Sequence, residues 1–302
     1  MLCNLQNLVL ISGLLLSKSD ILIEDGSKQA AEAIRAAGGA IESDDAPNQR
    51  GIGVYLSGAK VTDVILGHLR AFPTLRRLTV NNATLSKQGF EHIRHLKTLE
   101  FLQIEGSECP DDVVALFREL PRLDHLMLNG GKVTDAGMKD IGALRQLKKL
   151  YLDCPNVTDV GIAHLQHLTN LRYLKLAVRV TDKGMAHIEH LTKLEALFLS
   201  GAHITDEGMK RLRELRQLQR LGVQSPAISD IGISNLRGMT DLRFVSLGSP
   251  KLTDGSLVHL YALKRLERII LDDTAVTETG TKRLQEQLPK AKIIREESTG
   301  EW

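Results

Sequence analysis

The sequence predicts an α/β solenoid, with about ten parallel strands on a concave face and short helices on the convex face. Three observations predict it. From residue 75 onward a leucine pattern returns every 24 residues. Within each copy the apolar spacing changes from two to three, the periods of a half-buried strand and of a helix. A unit of this size cannot bury both faces alone, so the copies must stack and share one core.

The copies begin at Leu75, Leu99, Leu123, Leu147, Leu171, Leu194, Leu218, Leu242 and Leu266. One step is 23 residues, between Leu171 and Leu194, where AVRVTD replaces a longer connection such as DCPNVTD. A divergent copy precedes them from Gly51, with Val54, Leu56 and Val61 in register. Each L-x-x-L-x-L ends in an alternation, as in Leu126 and Leu128, that reads as a short strand with one buried face. Gly137-Met138, Ile141 and Leu144 then follow as the apolar stripe of a short helix. Between the two, pairs such as Thr134-Asp135 suit a helix start. The hydroxyl accepts from first-turn N–H groups, and the carboxylate favours the positive end of the helix dipole. Ahead of the array, residues 28–38 (KQAAEAIRAAG) read as a helix and AIESD as a strand. Behind it, Leu288-Pro289 stops the last helix and AKII offers a closing strand. The organisation expected is a leader or apolar flap over 1–27, an N-terminal cap over 28–50, the array over 51–288, and a C-terminal cap with a frayed tail over 289–302.

Composition excludes several classes. With 42% hydrophobic and 25% charged residues the chain can bury a core. A net charge of +2 gives no bulk attraction to nucleic acid. Cys3, Cys109 and Cys154 form neither a metal-ligand spacing nor a disulfide framework. Cys109 stands where other copies have valine and is expected to be buried; Cys154 falls in a loop and is expected to be exposed. No stretch reaches the roughly 20 apolar residues of a membrane span. Leu8 to Leu16 (LVLISGLLL) reads either as the core of a signal peptide or as a flap on the end of the stack. The compartment stays open: cytoplasmic is favoured, secreted if that segment belongs to a signal.

The repeat LYLDCPNVTDVGIAHLQHLTN, from Leu150, resembles the leucine-rich repeat superfamily. It is closest to bacterial arrays of V-T-D-x-G-L units and similar to the cysteine-containing subclass of F-box ubiquitin-ligase adaptors. The resemblance covers residues 51 to 294, and PKAKII resembles the end caps of the bacterial arrays. It implies a horseshoe that recognises proteins. Where many members carry an Asn or Cys ladder, this chain has Ala59, Ala83, Ser107, Gly131, Pro155, Ala202, Pro226, Pro250 and Thr274.

If the leucines point inward, the residues between them line the concave face. One column is Arg77, Phe101, His125, Lys149, Tyr173, Ala196, Arg220, Phe244 and Arg268; the next runs Tyr55, Thr79, Gln103, Met127, Tyr151, Lys175, Phe198, Gly222, Ser246 and Ile270. Six of the chain's Phe and Tyr residues (Tyr55, Phe101, Tyr151, Tyr173, Phe198 and Phe244) fall in these two columns, which is more than solvated strands need. Interface centres favour aromatics, Met and Arg. The candidate partner-binding residues are therefore Phe101, His125, Met127, Lys149, Tyr151, Tyr173, Lys175, Phe198, Arg220 and Phe244. The basic rim points to a partner with acidic surface. Against this stands the preference of aromatics for strands as such.

Other motifs have plainer readings. His92/His95, His164/His167 and His187/His190 recur at one repeat position without a completing ligand, so no metal or other cofactor is expected. The column Asp63, Asp135, Asp159, Asp182, Asp206, Asp230 and Asp254 could suggest calcium or paired carboxylates, but helix-start chemistry explains it. The glycine of T-D-x-G reads as a packing residue. No phosphate loop or nucleophile motif occurs. The sequence thus predicts a monomeric, non-catalytic scaffold that binds a protein. The runner-up is a substrate-recognition subunit or effector of an enzyme complex, like a ubiquitin-ligase adaptor. Nucleic acid is disfavoured by Glu105, Asp153, Asp272 and Asp273 on the same face.

Overall fold

The computed structural model describes residues 8–11, 14–17, 27–46 and 49–295. Cys3 and the expected frayed tail at 296–302 lie outside them. The chain divides into two compact units, Met1–Lys132 and Val133–Trp302.

In the first unit, β1 (Leu8–Ile11) and β2 (Leu14–Ser17) pair antiparallel. Helix α1 (Lys28–Ala36) lacks a side-chain cap and buries Ala30, Ala31 and Ile34. Strand β3 (Ala40–Ala46) then runs antiparallel to β4 (Gln49–Ser57). From β4 on, pairing is parallel, to β5 (Leu75–Asn81), β6 (Phe101–Glu105) and β7 (His125–Asn129). Helices α2 (Asp63–His68), α3 (Lys87–Glu91) and α4 (Asp111–Val114) connect them.

The second unit repeats one strand–helix pattern with little variation. Strands β8 (Lys149–Asp153), β9 (Tyr173–Ala177), β10 (Ala196–Ser200), β11 (Arg220–Gln224), β12 (Phe244–Gly248), β13 (Arg268–Asp272) and β14 (Lys292–Ile294) pair in chain order, all parallel. The connecting helices are α5 (Asp135–Ile141), α6 (Asp159–Ile162), α7 (Asp182–Ile188), α8 (Asp206–Lys210), α9 (Asp230–Ile233), α10 (Asp254–Leu257) and α11 (Glu278–Gln287). Among the described residues no helix is long and apolar enough to cross a membrane.

The helices are short because strand, two loops and helix share 24 residues. Burial follows the sequence pattern: Leu150, Leu152, Leu174, Leu176, Leu197 and Leu221 are all 0% exposed. Each such leucine stabilises the stack by roughly 1.5–3 kcal/mol. The turn after β7 passes through Gly130 at φ 71°, a left-handed conformation a side chain would resist.

Cys109 is buried as expected, but Cys154 is not exposed: it is 0% accessible. The inward alternation of Leu150 and Leu152 runs one step past β8 and turns Cys154 into the core. Val178 does the same after β9.

The helix starts hold more than capping. Thr134, Thr158, Thr181, Thr205, Ser229 and Thr253 each accept from the N–H two residues on, at 3.1–3.3 Å. The aspartate beside each hydroxyl reaches forward into the next repeat. Asp135 Oδ1 accepts from Thr158 N at 2.8 Å and Gly161 N at 2.9 Å, and its Oδ2 accepts from Thr158 Oγ1 at 2.7 Å. The same rung joins Asp159 to Thr181, Asp182 to Thr205, Asp206 to Ser229, Asp230 to Thr253 and Asp254 to Thr277. This explains the glycine of T-D-x-G. A Cβ at Gly161, Gly184, Gly208 or Gly232 would lie 2.4–2.5 Å from Oδ1 of the preceding repeat's aspartate.

Serines partly stand in for the absent asparagine ladder. Ala83 N donates to Ser107 Oγ at 2.9 Å, and buried Ser225 and Ser249 each donate to a carbonyl one repeat back at 2.7 Å.

Candidate functional site

The helices cover one face of each sheet and leave the other free, so most side chains between the inward leucines are half-buried or exposed there, while Thr79, Ala196, Ser246 and Ile270 are covered by their neighbours. In the first unit, register places Arg77 beside Phe101 and Phe101 beside His125, with Gln103 beside Met127. The Arg77 guanidinium lies 4.8 Å from the Phe101 ring centre, and the Phe101 and His125 rings are 6.4 Å apart. His125 Nδ1 hydrogen-bonds the Asp124 carboxylate. Glu105 is occupied: it accepts from Gln103 Nε2 at 3.0 Å and from Asn129 Nδ2 at 3.2 Å.

The second unit brings Lys149, Tyr151, Tyr173, Lys175, Phe198, Arg220 and Phe244 into one sheet face. One row reads Lys149, Tyr173, Ala196, Arg220, Phe244, Arg268, Lys292 across β8 to β14; the next reads Tyr151, Lys175, Phe198, Gly222, Ser246, Ile270, Ile294. Tyr173 and Phe198 pack at 5.7 Å between centroids and 38° between planes; Phe198 and Phe244 pack at 6.0 Å and 51°. These are favourable tilted contacts. Arg220 spans two rings, its Cζ 5.4 Å from the Phe198 centroid and 5.7 Å from that of Phe244. Lys175 Nζ sits 4.9 Å over Tyr151. Burial raises the Tyr173 phenol above its ordinary pKa, and nearby Arg220 pulls against that rise. Phe198 can lie across β11 because Gly222 has no side chain: a Cβ there would meet its Cδ1 at 2.5 Å. A shallow dimple results, lined by Lys175, Phe198, Gly222, Val223, Gln224 and Ser246.

The sequence reading thus placed its ten candidates on the helix-free faces, with Phe101, His125 and Met127 in the first unit and the other seven in the second. It set Arg268 and Gly222 in its columns without choosing them as candidates, and its columns stopped short of Lys292. Extending the columns into the closing strand would have found Lys292. Gly222 was legible only as a gap in a row of large residues. The histidine pairs lie on the helix side, half-buried or exposed.

No family model matches the chain, and no curated protein is similar to it by sequence. Solved structures do resemble it. An internalin of Listeria monocytogenes aligns with TM-score 0.54 at 16% identity, covering 93% of this chain and 98% of that one. A second, internalin C2 of the same organism, gives 0.49 at 20% identity over 92% and 96%. A leucine-rich repeat protein of Leptospira interrogans gives 0.44 at 19% identity over 75% and 74%. The first of these likenesses carries the fold: the chain folds as a leucine-rich repeat solenoid.

Proposed function

We propose that this leucine-rich repeat chain is a non-catalytic scaffold that binds a protein on the helix-free face of its repeats. One observation carries the reading. In the second unit, four aromatic rings, three of them with a cation laid over the ring, occupy one continuous sheet face. Tilted rings capped by Arg or Lys are the chemistry of interface centres. The side chains there donate and stack.

The test is affinity capture with the wild type, a Tyr151→Ala/Tyr173→Ala/Phe198→Ala variant, and a helix-side control, Lys139→Ala/Lys183→Ala. Folding of all three is first checked by circular dichroism. Support is a captured protein that the control keeps and the aromatic variant loses. Identical capture by all three removes the sheet face as the binding surface.

A further inference from the structure

Resting on that reading, we infer that the second unit's face takes an extended, acidic peptide segment of about nine residues, anchored by one apolar side chain over Gly222. The argument begins with charge. The whole chain holds 39 Lys and Arg against 37 Asp and Glu. The two rows across β8 to β14 do not share that balance: they carry Lys149, Lys175, Arg220, Arg268 and Lys292 and no carboxylate, and the carboxylates of this face, Asp153 and Asp272, stand in a third row at the strand ends.

Several cations elsewhere in the same unit have carboxylate partners. Arg172 pairs with Glu195, Arg211 with Glu189, Arg243 with Glu267, Arg265 with Asp241, Lys210 with Glu207 and Lys282 with Glu278. No ion pair among the described residues involves any of the five face cations. Two of them, Lys175 and Arg220, are instead held over aromatic rings. A partner that supplies carboxylates meets complementary potential along the whole row.

Dimensions set the length. Six inter-strand steps of about 4.8 Å span roughly 29 Å. An extended chain at about 3.3 Å per residue covers that with about nine residues. The dimple over Gly222 is walled by Phe198 and Lys175 and floored by the β11 backbone, and the peptide's one apolar anchor is placed there. A single-stranded nucleic acid would need ring faces free for stacking. Here Tyr173, Phe198 and Phe244 pack against each other, and Arg220 covers the latter two.

The experiment probes the purified full chain with arrayed nine-residue peptides in three sets. All share the same apolar residues; the remaining positions are Asp/Glu, Ser/Asn or Lys/Arg. A nonamer of deoxythymidine serves as the nucleic-acid probe. The acidic set alone should bind, more weakly as salt rises. An Arg220→Glu/Arg268→Glu variant, altered only at exposed positions, should lose that binding at least tenfold, and Ser246→Leu should weaken it by filling the dimple. Binding spread evenly over the three sets, preference for the basic set, or an acidic preference untouched by charge reversal each overturns the inference. So does equal or tighter binding of the oligonucleotide. A protein captured by the wild type, lost with the aromatic variant but kept by Arg220→Glu/Arg268→Glu leaves the scaffold reading standing and removes this one.

Discussion

The two units differ most where their helices begin. In Val133–Trp302, six aspartates in succession hand a carboxylate forward to the next repeat, from Asp135 through Asp254. In Met1–Lys132, Asp63 makes that rung to Ser86 at 2.9 and 2.5 Å, and then the series is interrupted. Lys87 stands in the aspartate's place and Pro110 in that of the hydroxyl residue. Proline has no N–H to donate. The glycine position of that following repeat holds Val113, which is 1% exposed. Aspartate, donor N–H and glycine are therefore one device: where the carboxylate is missing, the space kept for it is filled with apolar volume. Ser256 shows the tolerance of the rule, for there a small residue replaces glycine and its hydroxyl donates to Thr253 O at 2.7 Å.

This contrast can be broken from the strong side first. Gly208→Val should destabilise by about 3 kcal/mol, because the new Cβ falls 2.4 Å from Asp182 Oδ1, which cannot move without giving up Thr205. Equilibrium urea unfolding measures it; an unchanged midpoint would mean the rung is slack. Next, Asp182→Ala leaves the part-buried Thr205 N–H without its acceptor and should cost about 1–3 kcal/mol. Native-state hydrogen exchange should show the loss locally, at the start of α8. In the first unit, Lys87→Asp alone should change stability by less than about 0.5 kcal/mol. It gives up an exposed pair to Asp112 at 3.0 Å and finds no N–H on Pro110 to bond. A large gain there would show that the interruption is not set by the proline. The smallest effect concerns the face: Arg220→Ala should raise the Tyr173 pKa further, since the guanidinium opposes the effect of burial. Difference absorbance titration of tyrosinate reads the shift, and a downward shift would contradict the packing of Arg220 over these rings.

Much of this was legible in the residues, and the exceptions share a cause. Leucine columns, strand faces and capping hydroxyls lie within one repeat, so period and residue type reveal them. The aspartate rung joins residues 22–26 apart, and a reading of one copy at a time sees only a helix start beside an acid. Cys154 was misjudged because loop composition masked an alternation that continues past the strand end. On the face, the ring and cation columns were visible. The placement of Arg220 over two rings depends on lateral neighbours two repeats apart in sequence, and the ten candidate residues remain a proposal for binding.

The forward-reaching rung also bears on how such a chain grows. Each repeat between Asp135 and Thr277 carries a donor half for the repeat behind it and an acceptor half for the repeat ahead. A duplicated 24-residue copy spliced anywhere in that stretch would find both halves of its joint already made. The same copy inserted between Lys87 and Pro110 would meet no carboxylate behind it and no amide ahead. Lengthening by tandem duplication thus keeps every joint made between Asp135 and Thr277 and leaves one unmade between Lys87 and Pro110.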